Sequence, residues 1–193
     1  LFNPGPISTL DVKVHIAAVN PLMLQVAGEV CDGVMLHSFN TPEYTKQVVL
    51  PNLQRGAAKA GRMLEDMDIS GGGFIVTGGT DEELDANRTA TKKRIAFYAS
   101  TRSYAPVMDT HGWRDTAENL YRMSVEGRWS EMEAEITDEM LDAFAVSGSY
   151  DEIVDRIKAR YGSYATSVSF SIPVGTPDDE ERLKEMVHEL QGA

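Results

Sequence analysis

The chain has 193 residues, 42% of them hydrophobic and 25% charged, enough for one well-buried core and inconsistent with wholesale disorder. Its formal net charge of −12 argues against nucleic acid as a partner, because that affinity comes mainly from Lys and Arg neutralising phosphates; a small phosphorylated ligand stays compatible. The single cysteine, Cys31, cannot form an internal disulfide or a zinc site and suits a reducing cytoplasm, and no apolar run reaches membrane-spanning length.

Residues 1–11 hold two prolines and a glycine before a polar end and read as a loop. The chain begins with Leu1 rather than Met, carries no signal-peptide pattern and soon enters a buried-looking strand, so it reads as incomplete at its N-terminus. The run from Val12 to His37 predicts a strand (12–18), a helix (21–30) and a strand (33–37) in succession. Asn20 is a preferred N-cap and Pro21 a preferred first helical residue, so the first strand empties straight into a helix N-terminus. Leu22, Val26 and Val30 follow at helical spacing, and Cys31, a small packing residue, sits in the turn before Gly33.

Thr41-Pro42 repeats the cap and opens a helix to about Ala60, with Val49, Leu53, Ala57 and Ala60 as its apolar stripe and Gly61 as its stop. A third strand covers 69–77, across three consecutive glycines. The Thr80–Glu83 capping box starts a helix that reaches Tyr98. Residues from about 100 to 148 break into shorter helical pieces, 113–126 and 138–144 among them, and read as an insertion within a single domain spanning 1–193. A second capping box, Ser149–Glu152, precedes the buried face Ile153, Val154 and Ile157; a fourth strand covers 167–172. Thr176-Pro177 opens the last helix, with Leu183, Met186, Val187 and Leu190 inward. Strands alternating with helices are the signature of an α/β fold with a parallel sheet. A closed (β/α)8 barrel takes about 250 residues, so four βα units read as its half.

A strand that ends at a helix N-terminus leaves backbone N–H groups and a positive dipole end at the sheet's carboxyl edge, a seat for an anion. That places Ala18, Val19 and Asn20, with His37, Ser38 and Phe39 from the end of the second strand, as the cofactor-binding candidates. Each has a plainer reading: an ordinary βα turn with a good cap, and a histidine satisfying a neighbouring carbonyl. Arg94 and Arg102, in the segment RIAFYASTRSY, either offer cations to acidic groups of a ligand or are simply solvated. Trp113 and Trp129 read as packing anchors and the acidic run 131–139 as solvated surface. The sequence has no phosphate-cradling G-x-x-x-x-G-K-[ST] loop, no completed G-x-G-x-x-G, no G-x-S-x-G elbow and no paired metal-ligand spacing among its four histidines.

The stretches VHIAAVNPLMLQVAGEVCDGVMLH and FNTPEYTKQVVLPNLQRGAAKAGR, with AFYASTRSY, the HGW at 111–113 and ITDEMLDAFAVSG, resemble the luciferase-like monooxygenase superfamily, nearest its actinobacterial F420-dependent oxidoreductases. The resemblance spans essentially the whole chain but only the C-terminal half of the family's barrel. It implies a (β/α)8 TIM-barrel type enzyme that transfers hydride between coenzyme F420 and a small organic substrate, with the cofactor across the strands' carboxyl ends. The alternatives are an FMN-dependent monooxygenase of the same fold and a non-catalytic, self-associating half-barrel; a homo-oligomer is expected in either form. Where F420-binding members often have Gly-Gly-Pro, this chain has Val19, Asn20 and Pro21, and where some relatives carry a phosphate-binding lysine it has Asn40. The family's residues nearest the reacting ring come largely from its first strands, so the catalytic residues are expected outside this sequence.

Overall fold

The computed structural model describes Gly5 and residues 12–172 and 174–192; apart from Gly5, the loop read for residues 1–11 lies outside them. In chain order the elements are β1 (His15–Ala18), α1 (Pro21–Val30), β2 (Gly33–Leu36), α2 (Pro42–Tyr44), α3 (Leu50–Lys59), β3 (Asp68–Gly71) and β4 (Phe74–Gly78). They continue with α4 (Asp81–Ala99), α5 (Ala105–Asp109), α6 (Arg114–Val125), α7 (Asp138–Phe144), β5 (Ala145–Ser149), α8 (Ile153–Tyr161), β6 (Ser167–Val168) and α9 (Pro177–Gln191). The fold is α/β with parallel strands throughout: a four-stranded sheet ordered β1-β2-β3-β6 and a two-stranded sheet β4-β5.

The four-stranded sheet is covered on one face. Ile16, Val34 and Ile69 share a register row that turns towards α1 and α3, with Val34 and Ile69 buried. Ala17, Met35, Ser70 and Ser167 make the adjacent row on the other face, where Ala17, Met35 and Ser167 are exposed. The outer edges of β1 and β6 pair with no other described strand.

Several sequence readings shift in the structure. The first strand is shorter than 12–18, beginning at His15. The strand expected over 69–77 divides at Gly72-Gly73 into β3 and β4, which belong to different sheets. The fourth strand keeps only Ser167–Val168 of 167–172. β5 lies at the end of the expected helical insertion, but five residues paired in register with β4 make it a strand. The Ser149–Glu152 pair therefore closes a turn at the end of β5, with the Glu152 carboxylate accepting the Ser149 amide at 3.1 Å, before α8 begins at Ile153.

The helix after Thr41 is not uniformly α. Thr45–Val49 form a π-helical turn between α2 and α3, ending two residues before Pro51. A proline inside a helix lacks the N–H for an i→i−4 bond and its ring crowds the preceding turn's carbonyl; a wider turn upstream accommodates it. On α1, the stripe Leu22, Val26 and Val30 identifies the helix but is exposed, while Leu24, Ala27 and Gly28 are buried against α3. Glycines set that contact. A Cβ on Gly28 would lie 2.2 Å from the Leu53 carbonyl oxygen, and one on Gly56 2.0 Å from that of Gln25. Val49, Leu53 and Ala57 of the expected α3 stripe are buried, but Ala60 is exposed. Cys31 is buried, and Met132, Ile136 and Met140 turn inward from the acidic run.

Candidate functional site

β1 and β2 run parallel in direct register and so end side by side at Ala18 and Leu36. The residues that follow, Val19-Asn20 and His37-Ser38, lie along one carboxyl edge of the sheet. A 3-10 turn, Arg102–Tyr104, reaches that edge: the Asn20 side-chain Nδ2 donates to the Ser103 carbonyl at 3.1 Å, and Tyr104 stacks on His37 with ring centroids 4.8 Å apart. Tyr98, from α4, meets the same imidazole edge-on at 4.8 Å. His37 Nδ1 accepts the Phe39 amide at 3.0 Å, and burial holds its pKa below the ordinary imidazole value. With Nδ1 used as an acceptor, the ring's proton resides on Nε2, where it is available to donate.

The six expected residues fall into two groups. Asn20, His37 and Ser38 are partly accessible at the edge, as is Val19, whose carbonyl accepts the Tyr44 hydroxyl at 3.1 Å. Ala18 and Phe39 are core residues: Phe39 is 0% exposed and its ring stacks on Phe144 at 4.3 Å. Asn20 occupies the N-cap position of α1 with extended backbone angles, but its side chain makes no capping bond. The helix's first amides are therefore not closed by Asn20, whose Oδ1 is buried without a hydrogen-bond partner among the described residues. Asn40 mirrors it. Its Nδ2 donates to Thr45 Oγ1 at 2.7 Å and its Oδ1 is likewise buried and unpartnered.

Thr41 shows why the following helix is held firmly. Its buried hydroxyl oxygen accepts the Tyr44 amide at 3.1 Å and lies 2.8 Å from His111 Nε2. The hydroxyl proton is free to go to that nitrogen, an arrangement for a neutral imidazole. Burial lowers the His111 pKa, opposed by the carboxylates of Glu43 and Glu139. His111 also stacks on Trp113 at 4.4 Å, so Trp113 is the packing anchor expected; Trp129 instead is 53% exposed.

Beside this edge lies a concavity of about 440 Å³. Ser38 and Ser70 line it from the β2 and β3 side, Ser169 and Ser171 from the segment after β6, Gly72 from the β3–β4 joint and Arg94 from α4. The Arg94 guanidinium sits 4.9 Å from the Phe74 ring centroid. Arg102 points elsewhere, over the Tyr121 ring at 4.1 Å. The sequence singles out Ser38 and the segment RIAFYASTRSY, with Arg94 and its two tyrosines, but not the serines after β6, whose place at the concavity comes from contacts distant in sequence. Among the described residues, no group of three or more His, Cys, Asp or Glu side chains could hold a metal ion, and no helix is long and apolar enough to cross a membrane.

Residues 2–167 match the profile of a family described as luciferase-like monooxygenase. An uncharacterised protein of Mycobacterium tuberculosis is 41% identical over 160 residues, covering 83% of this chain and 47% of that protein. The 5,10-methylenetetrahydromethanopterin reductase of Archaeoglobus fulgidus is 29% identical over 199 residues, covering 98% of this chain and 56% of the reductase. Among solved structures, the coenzyme F420 dependent tetrahydromethanopterin reductase from Methanopyrus kandleri superposes with a TM-score of 0.69 at 27% identity, over 91% of this chain and 49% of that one. The chain thus spans about half the length of the curated relatives it matches.

Proposed function

Since the chain belongs to the luciferase-like monooxygenase family, we propose that it forms the C-terminal half of an F420-dependent oxidoreductase that moves hydride between that cofactor and a small organic substrate. The observation that carries the reading is the likeness of nearly the whole chain to a solved reductase whose name states its dependence on coenzyme F420. The residues at the carboxyl edge suit such a group. Asn20 and Asn40 each keep a buried amide oxygen without a partner, and a deazaflavin ring offers N–H donors to such acceptors. The open N-terminal turn of α1 suits the cofactor's acidic tail.

When bound, F420 supplies the hydride chemistry, and the protein's part is orientation and electrostatics. In this reading Asn20 and Asn40 accept from the ring, Ser38 presents a hydroxyl beside it, and the Nε2–H of His37 donates a fixed hydrogen bond. Tyr98 and Tyr104 hold the imidazole in place, while Ala18 and Phe39 anchor the strand ends from below. Val19, tied through its carbonyl to Tyr44, sets the height of the turn. We assign no catalytic acid or base to this chain. We place the protein in the cytoplasm as a homo-oligomer, on the strength of a lone buried cysteine and of the outer edges of β1 and β6, which pair with no other described strand.

Fluorescence titration of the 193-residue chain with F420, and in parallel with FMN, tests the reading. Saturable binding of F420, weaker in Asn20→Ala and Asn40→Ala, is expected. A folded chain that takes up FMN alone, or F420 with the same affinity in both variants, rules the proposed site out.

A further inference from the structure

The serine-lined concavity beside the cofactor edge has a composition of its own. Arg94 is exposed, and among the described residues no carboxylate lies within ion-pair distance of it; its contact is the face of Phe74 at 4.9 Å. A cation held over a ring face keeps its N–H edges free for an acceptor. No Asp or Glu lines the space. On a chain with 30 acidic and 18 basic residues, a concavity with an unpaired guanidinium and no acid stands apart from the average surface. Ser38, Ser70, Ser169 and Ser171 line it from three segments, and none of their hydroxyls bonds to another described residue.

The glycines at its floor separate packing from opening. A Cβ on Gly73 would sit 2.3 Å from the Tyr161 hydroxyl, so glycine there seats that tyrosine, and one on Gly71 would crowd the Tyr161 ring at 3.1 Å. Gly72 is different: a Cβ there would meet only Ser169 Cβ, at an ordinary 3.6 Å. Packing does not demand glycine at 72, and the missing side chain leaves the floor clear.

We infer that this concavity is a binding site for a small oxyanion, a phosphate or carboxylate group gripped by Arg94 with the hydroxyls of Ser70, Ser169 and Ser171. Planar guanidinium matches an oxyanion with paired N–H bonds, and hydroxyls supply the remaining donors without adding charge. The group belongs either to the substrate or to the acidic tail of the cofactor. The inference stands on the concavity alone; only the assignment between those two sources rests on the proposed function.

The test is a titration of the 15N-labelled chain with inorganic phosphate against chloride at matched ionic strength. Saturable shifts of the Gly72 and Gly73 amides and of Arg94 Nε–H are expected, with affinity about tenfold weaker in Arg94→Gln. Gly72→Asp, whose Cβ would meet nothing closer than 3.6 Å, sets a carboxylate at the floor and abolishes them, and the remaining resonances report that each variant is folded. Shifts that rise linearly, or that persist unchanged in both variants, overturn the inference. Repeating the titration with saturating F420 separates the sources: competition assigns the site to the cofactor's tail, and undiminished phosphate binding assigns it to an acidic substrate. Failure of F420 to bind would remove the proposed function while leaving the phosphate result intact.

Discussion

His37 is the residue at which local chemistry and long-range packing meet. Its Nδ1 accepts a backbone amide, two tyrosine rings enclose it, and burial favours the neutral form. An unfolded imidazole takes up its proton near ~6.5, whereas the folded one resists to lower pH. The unfolded state therefore binds more protons as the pH falls, so the stabilisation present above ~6.5 is lost as the pH drops through the folded value. His111 acts in the same sense, since burial is its largest influence too. Thermal unfolding followed from about pH 8 to about pH 5 should show a falling midpoint, less steep in His37→Gln; parallel curves for the two proteins would refute this account of His37. At this scale the sequence was informative where the signal was local. Asn20-Pro21 marked a helix start to the residue, because cap and proline preferences act within one turn. The same rule misassigned the Asn20 side chain, which bonds a carbonyl 83 residues away.

At the scale of elements, the free edge of β5 shows how a two-stranded sheet is kept closed. Arg156 and Arg160 lie one turn apart on α8. Arg156 donates to the Ser147 carbonyl and Arg160 to the Ala145 carbonyl, occupying β5 acceptors that another strand could pair with, and Arg160 also donates to the Ala143 carbonyl in the last turn of α7. Covering an edge with charge is a known defence against strand-to-strand association. Arg160→Ala should cost about 1–3 kcal/mol, as buried acceptors lose a donor, and should raise aggregation on heating. Urea unfolding with light scattering measures both; a variant with wild-type stability and solubility would show the edge to be protected otherwise. Arg156 and Arg160 were not readable as edge guards, since β5 itself was missed. Ala145–Ser149 has only one strongly apolar residue, Val146, and its alternation was masked by the helix running into it. The strand 69–77 was legible as apolar and extended, but its division at Gly72-Gly73 was not. Glycines announce a bend without saying which sheet each half will join.

For the whole molecule, the parallel sheet has a helix-covered face and an open one. Parallel sheets occur almost only with both faces covered, and here Ala17, Met35 and Ser167 are exposed in one row while Leu22, Val26 and Val30 stand out from α1. The homo-oligomer proposed above would bury these surfaces, so sedimentation of the 193-residue chain should show a concentration-dependent dimer or larger species, dissociated by Leu22→Lys combined with Val30→Lys. A single monomeric boundary at all concentrations would remove the homo-oligomer from the proposal. The parallel α/β class was legible from the alternation of elements alone; the exposed stripe was not, because helical spacing reports a face without its partner. The division of one extended segment between two sheets has a consequence for cooperativity. The sheets share no ladder of hydrogen bonds, but one cluster of buried side chains takes Val34 and Ile69 from the first and Phe74, Val76 and Ala145 from the second, so unfolding as a single unit rests on side-chain packing that serves both. Tyr164 packs against this cluster and a second one, and the hydroxyl of Tyr161 occupies the space over Gly73. Side chains packed across the joint at Gly72-Gly73, and not a shared backbone ladder, thus tie the two sheets into one melting unit.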